Sequence, residues 1–340
     1  MESLAWMSKK KDGKVLCTAC SQRCLLSRGE YGKCGVRKVG QDGNLYLTVY
    51  GLAASYNIDP IEKKPLFHFL PSTQIFSLGT VGCNFCCKFC QNWEISQHPQ
   101  THNGEVFGIQ LMPETIINIC KTNNIPSIAY TYNEPVVFFE YAYDTMKLAK
   151  ENNIKNVFVS SGYETKEALD TLSPYLDAMN IDLKAFNDDF YKKISCARLK
   201  PVLKTIEHAK ELGIWIELTT LLIPGYNDNE KELKEAARWI ASLDKDIPWH
   251  ISRFFPAFKM TDVPPTPIET LKKAYEIGKE AGLNYVYVGN LDDKDRESTY
   301  CPACSFKVIE RSGHIGQFVK NNLKDGKCPK CNTEIKGVWN

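Results

Sequence analysis

The sequence predicts an α/β fold: a partial (β/α)6 barrel with a small cysteine-rich, metal-binding module at each end. Three observations carry that reading. Apolar strand-like runs alternate with amphipathic helix-like stretches through the middle of the chain, cysteines gather near both termini, and a three-thiol loop follows the first strand-like run of the alternating region. The expected division is residues 1–72 for an N-terminal cysteine-rich module and connector, 73–299 for the barrel, and 300–340 for a zinc-ribbon-like module.

Taken in order, residues 14–45 are rich in cysteine and glycine, with short strand-like pieces. The connector at 57–71 reads NIDPIEKKPLFHFLP, and its prolines predict a fixed, non-helical path. Strands are expected at 74–82, 127–132, 156–160, 178–183, 214–223 and 248–255, with a shorter one at 285–288. Helices are expected at 113–122, 135–151, 165–172, 199–212, 228–242 and 268–281. Pro113 and Pro135 suit first-turn positions, and Gly213 and Gly282 suit helix ends. Six βα units of this kind wrap into a partial barrel around a parallel sheet, and the thiol loop then falls at its C-terminal mouth.

Composition narrows the function classes. Forty-two basic residues against 40 acidic leave a net charge of +2, which is not the footprint of a general nucleic-acid binder. The opening MESLAWMSKKKDGK has no apolar core of signal-peptide length, and no apolar run approaches a membrane span. A cytoplasmic location is expected, and there clustered thiols mean metal more often than disulfide. The 14 cysteines fall into three groups plus the single Cys120 and Cys196.

The central group, in GTVGCNFCCKFCQNW, places Cys83, Cys87 and Cys90 at C-x-x-x-C-x-x-C spacing, with Phe89 directly before the last thiol. An electron carrier covers every corner of a four-iron cluster with protein thiolates. Three thiols in one compact loop leave an iron open to another ligand. Cys86 extends the stretch to C-x-x-C-C-x-x-C, which also reads as a four-thiolate zinc site. Adjacent Cys86 and Cys87 are poorly placed to reach one tetrahedral centre, so Cys86 is taken as a spare thiol.

The C-terminal group pairs Cys301 and Cys304 (CPAC) with Cys328 and Cys331 (CPKC), a zinc-ribbon pattern whose metal supplies the folding energy of a segment with little core of its own. The N-terminal group is Cys17, Cys20, Cys24 and Cys34, in CTACSQRCLLSRGEYGKCGVR. It also reads as a four-thiolate metal site, with zinc as the first expectation and a second iron–sulfur cluster for electron relay as the competitor.

The three-thiol spacing, the aromatic residue and the position after a strand resemble the radical S-adenosylmethionine (radical SAM) superfamily. The resemblance implies a 4Fe–4S cluster whose open iron is chelated by SAM, reductive cleavage to a 5′-deoxyadenosyl radical, and a low-potential donor such as flavodoxin or ferredoxin. It also implies low-oxygen working conditions. Polar strand ends supply candidate SAM contacts: Asn133 and Glu134 in TYNEP, Ser160 and Ser161 in VSSGY, Lys184 beside Asp182 in NIDLKAF, and His250 with Arg253 in WHISRFFP. Phe89 joins them as a cofactor-facing aromatic. Each has a structural reading beside it: a helix start, a turn, a local ion pair or a satisfied barrel residue.

At finer grain, DPIEKKPLFHF, GTVGCNFCCKFCQNWEISQ, YTYNEP, NIDLKAF and IPGYNDN resemble the radical SAM component of the AmmeMemoRadiSam system, which is similar to pyruvate formate-lyase activating enzymes. That resemblance places Lys184 on the activating enzymes' SAM-holding lysine and Glu134 near their acidic SAM motif. It also implies a pathway shared with Memo-like and AMMECR1-like proteins. Two departures stand out. Val159, in VSSG, replaces an acidic ribose contact, and FFPAFKM lacks the late histidine, for which His250 is a nearby substitute. The leading function is hydrogen abstraction from an unidentified substrate. Glycyl-radical activation, RNA modification and a non-catalytic metal scaffold are the alternatives.

Overall fold

The computed structural model describes residues 2–313 and 318–340, so residue 1 and residues 314–317 of the two expected terminal modules lie outside the described residues. Its centre is one eight-stranded sheet. An edge strand, β1 (Ser55–Pro60), runs antiparallel to β2 (Gln74–Gly79). The parallel series continues through β3 (Ser127–Tyr130), β4 (Lys155–Ser160), β5 (Ala178–Asp182), β6 (Trp215–Leu222), β7 (Trp249–Arg253) and β8 (Val286–Gly289). Sequence neighbours are sheet neighbours throughout, so every parallel pair is joined by a crossover. The sheet order ends at β1 and β8, which are not hydrogen-bonded to each other, and the barrel is therefore partial.

The crossovers carry α1 (Pro113–Thr122), α2 (Phe139–Glu151), α3 (Lys166–Leu172), α4 (Leu199–Glu211), α5 (Glu230–Leu243) and α6 (Ile268–Glu280). The helix expected at 135–151 is split: Pro135–Phe138 is a 3-10 turn capped by Glu134, and the α-helix begins at Phe139. Thr165 and Asn229 cap α3 and α5 with their side-chain oxygens. Strands stop one to three residues short of several expected ends, because the chain turns into the mouth there.

Strand alternation decides what fills the barrel. Outward residues such as Ile128, Phe158, Met179 and Leu218 join the main core under the helices. Inward Ile75, Ala129, Val157 and Ala178 form one layer, and their small side chains leave room for Ile61, Leu66, Phe69 and Leu70 of the connector. Residues 57–71 are thus the end of β1, a 3-10 turn at Ile61–Lys63 and the barrel floor. That single turn corrects the expectation of a wholly non-helical connector. Full burial of Ile61, Leu66 and Phe69 is worth about 1.5–3 kcal/mol each.

The N-terminal module is two small three-stranded sheets whose apolar residues, Val15, Leu26, Val36 and Leu47 among them, belong to the barrel's own core. Buried Arg37 ties it to α2 through paired bonds to Glu140 of 2.7 and 2.9 Å. The C-terminal module is different. Its three-stranded sheet packs in a small cluster apart from the main core, where Cys301, Val308, Ile309, Cys328 and Ile335 meet Phe67 of the connector and Tyr285 and Tyr287 of the barrel. Arg311 donates to the Phe67 carbonyl (2.6 Å), and Val338 forms backbone bonds with His68 and Leu70 (2.7 and 2.8 Å), so this module clamps the floor. No helix among the described residues is long and apolar enough to cross a membrane.

Candidate active site at the barrel mouth

The thiol loop leaves β2 at Gly79 and is held by side chains from the next strand end. Asn133 accepts from the Thr80 amide (3.2 Å) and donates to the Thr80 hydroxyl (3.2 Å) and the Gly82 carbonyl (2.6 Å). Its amide is committed to the loop, so Asn133 acts as a positioning residue for the thiols. Gly82 has φ +90°, and a Cβ there would lie 2.6 Å from the Cys34 carbonyl oxygen. Only glycine lets the loop pass so close to the N-terminal module.

Cys83, Cys87 and Cys90 line one cavity of about 480 Å³, a volume suited to a small-molecule cofactor. Phe89, Asn133, Glu134, Ser160, Ser161, Lys184 and His250 line the same space. The structure thus brings every candidate of the central site together. Arg253 is the exception among the residues singled out; it donates to the Thr266 carbonyl at 2.9 Å and does not line the cavity. A larger cavity of about 880 Å³, between α3 and α4 on the barrel's outside, contains none of the thiols.

Burial raises the pKa of all three thiols, Cys87 to about 11. The Lys184 ammonium opposes this at Cys87, and the Ser96 hydroxyl opposes it at Cys90. Lys184 is itself buried, paired with Asp182 at 2.7 Å, and lies 5.9 Å from the ring centres of Phe85 and Phe89. Its backbone is fixed by Asn227, which donates to the Lys184 and Leu221 carbonyls (2.6 and 2.8 Å) while accepting from the Ile223 amide (2.7 Å). Asn227 lies in IPGYNDN, and its role as the brace for Lys184 is not visible from the motif alone.

Glu134 is fully buried, and that burial raises its pKa; the Ser161 amide (2.7 Å) and Ser160 hydroxyl (2.9 Å) pull it back down. The same Ser160 oxygen is 2.6 Å from Glu164 and 2.9 Å from the Gly162 amide. One hydroxyl has one proton and cannot donate to both carboxyls. Glu164, pushed up to about 8 first by burial and then by Glu134, is the carboxyl that keeps its own proton and donates it to Ser160. Sequence reasoning missed Glu164, four residues beyond Ser160 and past the strand end.

His250 is tied through Nε2 to buried Glu217 at 2.7 Å. Glu217 also accepts from the amides of Phe67 and His68 (3.0 and 2.8 Å) and fastens the floor to β6. Cys86 is not a spare thiol: it forms a disulfide with Cys196. The bond tethers the loop to the turn after residues 191–195, where Cys86 and Lys88 already make backbone bonds to Ser195 and Ile194. Tetrahedral sharing of a metal with Cys87 is excluded by that pairing.

The four C-terminal sulfurs lie within 4.8 Å of one another, with Cys301–Cys331 at 3.5 Å and Cys304–Cys328 at 3.7 Å. Among the described residues no other set of three or more such ligand atoms is drawn together this closely. The central trio and the N-terminal quartet are both more open.

Residues 77–240 match the Radical SAM superfamily. Over 336 residues the chain is 45% identical to the "Uncharacterized protein MJ0808" of Methanocaldococcus jannaschii, covering 98% of this chain and 99% of that one. The chain belongs to the same family as that protein, and it is a Radical SAM superfamily enzyme. It is also similar to the pyruvate formate-lyase-activating enzyme of Clostridium pasteurianum, at 21% identity over 168 residues, 48% of this chain and 67% of the relative. A crystal structure of a radical SAM methyltransferase from Sphaerobacter thermophilus shares the fold, with a TM-score of 0.52 at 15% identity over 75% of this chain and 76% of that one. Superfamily membership implies a 4Fe–4S cluster and SAM. The donor set fits both: three thiols that open on a shared cavity without zinc-like convergence, beside a buried carboxylate and a buried ammonium.

Proposed function

We propose that this enzyme cleaves SAM reductively at the Cys83–Cys87–Cys90 centre and directs the resulting radical at a C–H bond of a substrate held in the same cavity. The observation that carries the reading is the set of three thiols facing Glu134 and Lys184 across one cavity, with no fourth cysteine among the described lining residues. Cluster and SAM, when bound, supply the one-electron chemistry. The protein's part is orientation and exclusion. Cys83, Cys87 and Cys90 hold three irons; Glu134 offers an anionic oxygen to the SAM ammonium, and Lys184 offers a cation to its carboxylate. Ser160 and Ser161 keep Glu134 fixed. Phe85, Phe89, Phe67 and the Glu217-bound His250 wall the cavity and limit water.

The motifs quoted above favour assignment to the radical SAM component of the AmmeMemoRadiSam system, working in a low-oxygen cytoplasm. Its electron donor is of the flavodoxin or ferredoxin class, and it shares a pathway with Memo-like and AMMECR1-like proteins. Cys301, Cys304, Cys328 and Cys331 hold zinc, since a Zn–S bond of about 2.3 Å places tetrahedral sulfurs about 3.8 Å apart. Similarity to an activating enzyme makes glycyl-radical activation the second reading, in which the substrate is a loop of another protein.

Anaerobic reconstitution followed by dithionite and SAM is expected to yield 5′-deoxyadenosine, and Cys87→Ala to abolish it. No product from a chain with an intact cluster would sink the proposal. Isotope transfer from a small molecule into 5′-deoxyadenosine supports the first reading; a glycyl radical on an added protein supports the second.

A further inference from the structure

The thiol loop has a second face, turned away from the cavity. Among residues 81–90 Lys88 alone is exposed, between buried Cys87 and Phe89. Two other segments are locked against it. Lys88 donates to the Ile194 carbonyl at 3.0 Å and Cys86 to the Ser195 carbonyl at 3.1 Å, while the Lys259 amide donates to the Lys88 carbonyl at 2.9 Å. The Cys86–Cys196 disulfide joins two of the three segments again. Beyond Lys259 the surface turns aromatic. Its ammonium lies 5.0 Å from the Phe258 ring centre, and Phe258 stacks on Trp93 at 5.1 Å with the ring planes 10° apart. None of Lys88, Trp93, Lys192, Lys193, Phe258 and Lys259 lines the cavity, so the platform they form lies outside it.

The charge of this platform is one-sided. Residues 83–93, 190–196 and 254–261 contain Lys88, Lys192, Lys193 and Lys259 and no acidic residue. Acids return at the margins, at Asp189, Glu94 and Asp262. Asp188 and Asp189 pair with Lys192 and Lys193 at 2.8 and 3.1 Å, whereas Lys88 and Lys259 have no carboxylate partner among the described residues. The chain as a whole carries only +2, so this cluster departs from the surface at large. Trp93 is 41% exposed and supplies an aromatic anchor of the kind interfaces use, beside cations of the kind that steer a partner's approach.

The reaction proposed above consumes one electron for each SAM cleaved. A donor protein cannot enter a cavity of about 480 Å³ that SAM and substrate are to share. It has to dock on the outside of the loop, and there the exposed residue standing between Cys87 and Cys90 is Lys88.

We propose that Lys88, Lys259, Lys192 and Lys193, with the Trp93–Phe258 pair, form the docking surface for an acidic electron-donor protein of the flavodoxin class. This inference rests on the radical SAM reading of the Cys83 loop. The step is a single electron transfer. The donor's flavin hydroquinone anion is oxidised to the neutral semiquinone as the loop cluster is reduced from 4Fe–4S(2+) to 4Fe–4S(1+), and no proton or covalent bond moves. Because backbone bonds already fix the three segments to one another, docking needs little rearrangement of this chain.

The test uses flavodoxin and the anaerobically reconstituted full-length chain. Reduction of the loop cluster by flavodoxin hydroquinone should slow about tenfold between about 0.02 and about 0.2 M ionic strength. Lys88→Glu/Lys259→Glu should lower the ratio of the flavodoxin-driven to the dithionite-driven rate by about tenfold or more, and weaken binding of oxidised flavodoxin by a similar factor. Lys259 meets the loop through its backbone amide, so Lys259→Glu alone, expected to lower the ratio about threefold, decides the matter if the double variant loses iron. Lys9→Glu/Lys11→Glu, exposed in the N-terminal module, should leave the ratio unchanged. An unchanged ratio in the platform variants, or an equal fall in the N-terminal control, would overturn the proposal. So would a loss of affinity for transfer RNA and not for flavodoxin, since the platform would then belong to a nucleic acid. A chain that takes electrons from flavodoxin at these lysines yet releases no 5′-deoxyadenosine would count against the catalytic reading and leave the docking surface standing.

Discussion

The two ends of this chain each present four cysteines, yet the fold surrounds them differently. The N-terminal thiols stand apart inside the main core, beside an ion-paired arginine and the central thiol loop. The C-terminal thiols converge at 3.5–3.7 Å on a small sheet whose apolar cluster lies outside the main core and takes in Phe67, Tyr285 and Tyr287. Thiolate number therefore says little about which metal is held. Spacing and burial say more, because they report how much room the thiols leave between them.

The sharpest way to break the comparison is to remove one metal. If the C-terminal thiols hold zinc as proposed, Cys328→Ser or a zinc chelator takes away the ribbon's folding energy, which in comparable zinc-binding peptides is about 10–16 kcal/mol. Residues 300–340 should become protease-sensitive while the barrel keeps its iron. The floor around Phe67 should loosen, read as weaker SAM binding, since Arg311 and Val338 no longer clamp it. Loss of the whole fold would show that the ribbon is as deeply integrated as the N-terminal module.

The next effect concerns that integration. Glu140→Ala leaves Arg37 buried without its carboxylate, at a cost of about 3–5 kcal/mol. Urea denaturation should show the N-terminal module and the barrel losing stability in one transition, since they share a core. Two separate transitions would mean that the module folds alone.

Much of this contrast was legible in the sequence, and the reasons are local. Alternating runs gave the barrel because strand and helix periods are written in neighbouring residues. Cys83, Cys87 and Cys90 were recognisable because their spacing is confined to one loop. The choice of metal at Cys17–Cys34 was not, because thiol spacing depends on how the module packs against Asn84 and Arg37. Asn133 illustrates the same limit. Its place beside Glu134 pointed to the cavity, but its amide is taken up by Thr80 and Gly82, some fifty residues away in the chain. Glu164 and Asn227 were missed because a buried carboxyl that shares a serine, or an asparagine that braces a lysine, is a long-range relation without a motif.

Glu164 supplies a smaller, pH-dependent test at the boundary between the site and the N-terminal module, where the Cys20 backbone bridges it. Its carboxyl is held near 8 against an ordinary value of 4.5. A raised folded pKa means that the folded state keeps a proton the unfolded state has released. The contribution to stability is therefore complete below about pH 4.5 and is lost as pH rises towards 8. Glu164→Gln keeps the donor to Ser160 and cannot ionise, so it should flatten this part of the pH–stability curve. The gain at pH 8 relative to the parent is at most about 4 kcal/mol. An unchanged slope would show that Glu164 does not hold the proton.

The smallest expected effect separates the cysteines proposed to bind metal from one that pairs with another cysteine. Cys86 lies next to Cys87, and spacing alone makes it a rival ligand. Its sulfur is joined to Cys196 across a sequence separation of 110 residues, so it braces the loop from outside the cavity. Backbone bonds from Cys86 to Ser195 and from Lys88 to Ile194 brace the same segment without the sulfur. Cys86→Ala should therefore retain the loop's iron and leave SAM cleavage near the parent level, with a modest loss of thermal stability under non-reducing conditions. Because Cys87→Ala should abolish cleavage, the two adjacent substitutions form a matched pair in one loop. If Cys86→Ala differed from the parent only under non-reducing conditions, loss of the disulfide would be the cause; if it lost iron in both states, the assignment of the three ligands would be wrong.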